Sequence, residues 1–304
     1  MKFLCIGGGG FIGTNFNYFI KKNSYGTVFN LDNGRLCTNM VEYHNFDVSK
    51  EPIKRLIPYL RDTDVVINFA AITRVEESII DPINSFKTNT SIHHNICEGL
   101  RILKKEENLN VPCLFISTGG AIAGETSEKI DEKILPKPIS VYGASKLSCE
   151  SLSYSYSKSF DIDIRNLRFT NIYGPFSDHK ESVVARFIKS IILKKTIEIR
   201  DNGNMKRDFL FVEDACSAIY SMLVHGYPGL TVQFGGGETV SINKIFEILK
   251  EIEPNIDFNF SKSLQGEVSS VECNIDFAKE VLKWTPQTTL KSGIYKTWNY
   301  FNDK

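Results

Sequence analysis

The sequence predicts an α/β protein, a doubly wound parallel sheet (Rossmann type) followed by a smaller mixed C-terminal lobe. Three observations lead there. The chain opens on a short apolar run, residues 3–6, suited to a strand buried on both faces, and passes through a cluster of glycines into a helical stretch at 14–22. Apolar strands and helical stretches then alternate as far as Phe169, the pattern of a parallel sheet covered on both sides. After Arg168 that rhythm breaks. This places one domain at residues 1–169 and a second lobe at 170–304, with a later strand near 230–235 returning to the first sheet.

The first segment carries the most information. Gly7, Gly10 and Gly13 stand at spacings of three, with Gly8 and Gly9 between them. Strand, glycine turn and helix form the layout in which a dinucleotide pyrophosphate lies against backbone N–H groups at a helix N-terminus. The plain alternative is a glycine-rich turn that holds no nucleotide. Residues 27–31 read as a second strand with Asp32 at its end, about 20 residues past the last glycine. A carboxylate there accepts hydrogen bonds from ribose hydroxyls and repels a 2′-phosphate, which favours NAD over NADP. Arg35 nearby argues the other way.

Further along, Asp47-Val48 closes a short segment. Asp47 either meets the adenine amino group or, with Ser49, caps the next helix (51–60). Residues 64–71 form the strongest predicted strand, and small residues at its end leave room for a flat cofactor, with the Thr73 hydroxyl beside it. A long helix at 82–105 contains Asn89. A buried strand at 111–117 ends in Ser117-Thr118-Gly119-Gly120, a polar loop follows at 128–138, and a helix at 141–160 precedes a strand at 162–169. Beyond it come a turn at 171–175, an amphipathic helix at 182–195, a strand at 209–212, a helix at 214–224 and a strand at 230–234. The last 65 residues read as mostly helical.

Composition narrows the function classes. The 304 residues are 42% hydrophobic and carry 36 basic and 36 acidic side chains. Zero net charge offers no general attraction to nucleic acid or to an anionic membrane. Seven dispersed cysteines, with no C-x-x-C pair, suit reduced thiols in a cytoplasmic protein. The first apolar run is too short for a signal peptide or a spanning helix. Five histidines without ligand spacing predict no catalytic metal.

Tyr142 and Lys146 lie four apart at the start of a helix, hence on one face. A tyrosine normally titrates near pH 10. A lysine about 5 Å away, at an effective dielectric near 20, favours the phenolate by roughly 3 kcal/mol, about a hundredfold in acidity. Such a phenol takes a hydroxyl proton while hydride leaves the same carbon for a nicotinamide. Tyr18/Lys22, Tyr154/Lys158 and Tyr300/Lys304 share the spacing. Only Tyr142 opens its helix after a strand-end pair of hydroxyls, at the edge where such sheets bind ligands. Ser117 and Thr118 are both candidates to bond the oxygen being oxidised, with Thr118 preferred. The alternative is an ordinary strand-to-loop turn.

With these residues in hand, the chain resembles the extended short-chain dehydrogenase/reductases of the NAD-dependent epimerase/dehydratase family, the group that includes UDP-glucose 4-epimerase. Gly7/Gly10/Gly13, Asp32, Asp47-Val48, Phe69-Ala70-Ala71, Asn89, Ser117-Thr118, Tyr142/Lys146, the run 168–175 and Arg207-Asp208-Phe209 occur in the family's order over nearly the whole chain. The resemblance implies a cofactor site that also includes Phe11, Ile12, Asn33, Thr73, Phe169 and Thr170. It implies a nucleotide-sugar, most readily a UDP-sugar, against Thr118, Tyr142, Asn171 and Arg207, with Arg207 on the diphosphate. Arg207 could instead be a surface residue paired with Asp208. It also implies a homodimer, since many relatives pair two helices from each chain, here 83–105 and 141–160.

Relatives that dehydrate or decarboxylate a sugar place an acid just after the strand-end hydroxyls. Gly119 and Gly120 cannot do that work, so the expected reaction is 4-epimerisation of a UDP-hexose or UDP-N-acetylhexosamine. The alternatives are a 4-keto-sugar nucleotide reductase, a 4,6-dehydratase or a non-catalytic dinucleotide sensor. The chain departs from the family pattern at Ala123-Gly124 and at Leu264-Gln265, where Lys262 would substitute for an arginine. Val271, small where some relatives carry tyrosine, would admit an N-acetyl group.

Overall fold

The computed structural model describes residues 1–34, 36, 42–261 and 270–303. Arg35, Cys37, Lys262, Leu264, Gln265, Gly266 and Glu267 lie outside the described residues. In chain order the first layer comprises β1 (Lys2–Ile6), α1 (Phe11–Lys22), β2 (Thr27–Asp32), β3 (His44–Asn45), α2 (Ile53–Arg61), β4 (Val65–Asn68), α3 (Val75–Ile80), α4 (Pro82–Glu107), β5 (Cys113–Thr118), α5 (Gly120–Ala123), α6 (Val141–Phe160) and β6 (Ile164–Phe169). There follow β7 (Asn171–Tyr173), α7 (Val183–Ile192), β8 (Ile197–Arg200), β9 (Lys206–Phe211), α8 (Val212–His225), β10 (Thr231–Phe234), β11 (Thr239–Ser241), α9 (Ile242–Ile252), β12 (Phe258–Ser261), β13 (Ser270–Val271), α10 (Asp276–Leu282) and α11 (Leu290–Asn302).

Seven strands form one parallel sheet in the order β10-β6-β5-β4-β1-β2-β3. The order reverses between β1 and β4, and a doubly wound sheet opens a crevice at that point beyond its strand ends. The apolar runs read in the sequence are buried on both faces. Phe3, Cys5, Val65 and Ile67 join α1, α8 and α10 in one core, while Leu4, Ile6 and Val66 join α2 and α4 in the other. Phe16 of α1 is wholly buried in the first core, and truncating such a side chain to alanine costs about 3–5 kcal/mol.

The second layer is smaller and mixed. β9 pairs with β11, β13 and β7, and β8 pairs with β12 over the core of α7, α9 and α11. Two expectations change here. The predicted turn at 171–175 contains a strand, since Asn171–Tyr173 runs parallel to Phe209–Phe211. The predicted mostly helical end of the chain also carries β11, β12 and β13. Strands of two to four residues are too short to display an alternating pattern. Their partners, moreover, are distant in sequence.

Candidate active site

The glycine turn closes on the strand-order reversal. Gly7 has φ +76°, in the left-handed region, and a Cβ there would stand 2.7 Å from the backbone of Ala70 at the end of β4. A Cβ on Gly13 would stand 2.6 Å from the Gly8 Cα, so the third glycine lets α1 pack against the turn. No side chain caps α1 at Gly10, which leaves its first amides, beside buried Phe11 and half-buried Ile12, without a capping side chain. At the end of β2, buried Asp32 accepts hydrogen bonds from Gly9 N and Gly34 N, both at 3.1 Å. Asn33 beside it is exposed. These residues fit a dinucleotide: a cradle without room for Cβ atoms, an uncapped helix start and a carboxylate one strand away.

The other expected cofactor residues divide into two groups. Phe69 packs on Phe16 and hydrogen-bonds through its backbone to Ile6, while Ala70 N donates to Asn68 Oδ1. Together with Ala71 and exposed Thr73 they line the crevice from β4. Val48 is core, and so is Phe169, which stacks near Phe234. Asp47 accepts from Ser49 N and Oγ and pairs with Lys50. It organises its own turn, whereas α2 starts at Ile53 after Pro52, so its expected role as that helix's cap is corrected. Asn89 is spoken for. Its amide group donates to Ile72 O and Ser145 Oγ and accepts from Ile72 N, clamping the loop after β4 to α6.

α6 starts at Ser140, whose Oγ accepts from Gly143 N, so Tyr142 sits in the first turn. A Cβ on Gly143 would stand 2.9 Å from the carbonyl carbon of Ala121, so glycine is what lets α6 meet α5 just beyond Thr118. Lys146 is buried. Its Nζ donates to Ile116 O of β5 at 2.8 Å and lies 4.6 Å from the Phe115 ring centre. These contacts bring Tyr142, Lys146 and the end of β5 to one place. The expected acidification of the phenol does not hold here. Burial raises the Tyr142 pKa above its ordinary value, and burial lowers Lys146 to about 8. Desolvation is the cause of the raised phenol, and the Lys146 ammonium is turned to a carbonyl of β5.

The two hydroxyls at the end of β5 separate cleanly. Ser117 is buried and donates to Glu150 Oε1 at 2.6 Å, and Glu150 pairs with buried Arg168 at 2.7 Å. Ser117 is thereby drawn into a buried charge network. Thr118, half-buried at the sheet edge, keeps clear of that network. Sequence reasoning assigned no role to Glu150 and Arg168. The available signal was a strand, Ile164–Phe169, with two arginines among apolar residues, each needing an anion when buried. His93 was read only as lacking metal-ligand spacing. It is buried between Ser153 and Asn68, and burial with the nearby Lys146 lowers it to about 3.

Past the end of β6, Asn171 is exposed and donates to Asp208 O, as does the Thr170 hydroxyl. Arg207 is half-buried and hydrogen-bonds Lys206 O. Asp208, next along β9, turns to the other face, where Gly236 N donates to it at 2.6 Å and burial raises it to about 7. Val271 pairs in register with Arg207 and stands 3.7 Å from a Cβ built on Gly120.

Fold and site together define a dinucleotide-binding α/β enzyme with a tyrosine and a lysine at the mouth of its crevice. The chain belongs to the NAD dependent epimerase/dehydratase family, whose model matches residues 3–235. It is 30% identical to a putative UDP-glucose 4-epimerase of Methanocaldococcus jannaschii, over 99% of this chain and 98% of that protein. Among solved structures it resembles a UDP-glucose 4-epimerase of Thermotoga maritima crystallised with UDP-glucose, with a TM-score of 0.90, 28% identity and coverage of 100% and 99% of the two chains. It also resembles a UDP-glucuronic acid 4-epimerase of Bacillus cereus in complex with UDP-glucuronic acid and NAD, with a TM-score of 0.87, 28% identity and the same coverage.

Proposed function

We propose that this chain is an NAD-dependent UDP-hexose or UDP-N-acetylhexosamine 4-epimerase, with residues 1–169 carrying the cofactor and 170–304 the nucleotide-sugar. The observation that carries the reading is Tyr142 in the first turn of α6 and Lys146 one turn on, the lysine tied through Ile116 O to a strand that continues into Gly119 and Gly120 with no acid. Gly7, Gly10, Gly13 and Asp32 would hold the dinucleotide, and NAD supplies a hydride acceptor and donor for the sugar carbon. Tyr142 Oη takes the C4 hydroxyl proton and later returns it. Thr118 bonds the same sugar oxygen. The half-buried phenol keeps its proton until positive charge is brought near it. Lys146, titrating at about 8, is still charged at neutral pH for that purpose.

Arg207 and Asn171 bind the nucleotide diphosphate and sugar. Val271, small and close to Gly120, supports admission of an N-acetyl group. Exposed Ile79, Ile80 and Ile83 at the α3–α4 junction and Tyr154 on α6 support pairing of two copies. Six buried free cysteines among the described residues support a reducing, cytoplasmic setting. Among the described residues no helix is long and apolar enough to cross a membrane. The purified protein should interconvert UDP-glucose and UDP-galactose, or their N-acetyl forms, without added cofactor. Stoichiometric consumption of NADH with a 4-keto sugar, and no interconversion, would overturn the reading in favour of a reductase.

A further inference from the structure

The turn after β5 is shaped by a residue that the chemistry above does not use. Gln233 of β10 lies directly across from Arg168 of β6, which lies across from Ser117 of β5. Its side chain is wholly buried. Glu132 Oε1 accepts from its backbone N at 2.7 Å, and its Nε2 donates to Phe234 O at 2.9 Å and to Cys273 Sγ at 3.6 Å. The carboxamide is therefore pinned. Its Oε1 has no hydrogen-bond partner among the described residues and is pressed against Gly119. A Cβ on Gly119 would lie 2.8 Å from Gln233 Cδ and 2.9 Å from Nε2, and nearer still to Oε1. Gly119 has φ −78° and ψ −56°, open to any residue. The carboxamide, not the backbone, is what requires glycine there.

An unpaired buried acceptor is costly, and an apolar side chain of similar volume would avoid that cost. A buried acceptor left without a partner points to a task, and the contacts say which. Gly119 follows Thr118 and begins α5, whose Ala121 carbonyl bears on Gly143, the residue after Tyr142. One line of contact thus runs from Gln233 through Gly119 and α5 to both members of the proposed reacting pair.

We propose that Gln233 is a positioning residue, whose carboxamide seats the turn at 119–123 and so sets Thr118 and Tyr142 relative to each other. The proposal rests on the reading of Thr118 and Tyr142 as the groups that meet the sugar hydroxyl. Its test is a double-mutant cycle in the full-length protein with Gly119→Ala, Gln233→Ala and the two combined. Small displacements of reacting groups cost rate steeply, so each single change should lower kcat about tenfold and leave KM for the UDP-sugar within about twofold. In the double variant the new methyl enters the vacated space, and kcat should recover to within about threefold of the native value. Gln233→Met, which keeps the volume, should retain more activity than Gln233→Ala. A fully active Gly119→Ala, losses that multiply in the double variant, or losses confined to KM would overturn the proposal. If the native protein turns over no UDP-sugar, the functional reading fails on its own. The cycle is then read from melting temperatures, where additive shifts would sink the contact itself.

Discussion

The turns after β1 and after β5 both end a buried parallel strand and both lead into a helix, yet they are built in opposite ways. After β1 the constraint lies in the backbone. Gly7 takes a left-handed φ and meets the backbone of Ala70, Gly13 packs on the backbone of Gly8, and Gly9 N is held by Asp32 at the end of the next strand. After β5 the constraint is remote. Gly119 has an unremarkable φ and is held to glycine by Gln233, from the edge strand β10 two strands away. A backbone-built cradle suits a ligand recognised by N–H groups. A turn built by side chains can be tuned by substitution elsewhere in the chain.

Experiments can press on that contrast. The largest effect belongs to Tyr142→Phe, which removes the proton acceptor from the β5 side and should lower kcat by about 10²–10⁴-fold while bound NAD stays put. Turnover near the native rate would show that the β5 turn does not serve the chemistry. Gly7→Ala attacks the β1 side, where left-handed strain of about 1–3 kcal/mol adds to the clash with Ala70. Copurified NAD should disappear and the melting temperature drop. Retained cofactor would mean that the local cradle is looser than its contacts imply.

Within the β5 turn, the two hydroxyls should part company. Thr118→Val should cost about 10- to 100-fold in kcat with little change in melting temperature. Ser117→Ala should instead cost about 1–3 kcal/mol of stability, because Glu150 loses a buried donor, with kcat nearly intact. The reverse pattern would return Ser117 to the catalytic role. The smallest effect concerns Asp208, which anchors Gly236 just past β10. Its pKa is raised in the folded protein to about 7 from 3.8, so the folded form binds more protons between those values. Stability from this group is therefore present at low pH and is lost as pH rises through about 7. Asp208→Asn, resembling the protonated form, should flatten that slope and raise the melting temperature at pH 8 by about 1–3 °C. An unchanged slope would remove Asp208 as its source.

The same contrast governs what the sequence could reveal. Gly7, Gly10, Gly13 and Asp32 follow from spacing because one strand, one turn, one helix and the next strand fix their separations along the chain. Tyr142 and Lys146 were legible for the same reason, one helical turn apart. The choice between Ser117 and Thr118 was not, because it turns on which face of β5 meets Glu150. Nor was the direction of the Tyr142 shift, since counting one nearby charge omits the burial that opposes it. Gln233 lay out of reach altogether. Nothing near it in the chain says that Gly119 will be its neighbour.

The path of the chain between its layers bears on how the protein is made. The core that seats β1 and α1 is completed by Leu210, α8, β10, α10 and Trp284, all contributed after the chain has built parts of the other layer. During synthesis from the N-terminus, β6 must wait as an open sheet edge until residues 231–234 emerge. Release of the nascent chain before Trp284 would leave apolar surface uncovered in the half that begins first, and a truncation ending at residue 169 should aggregate rather than bind dinucleotide.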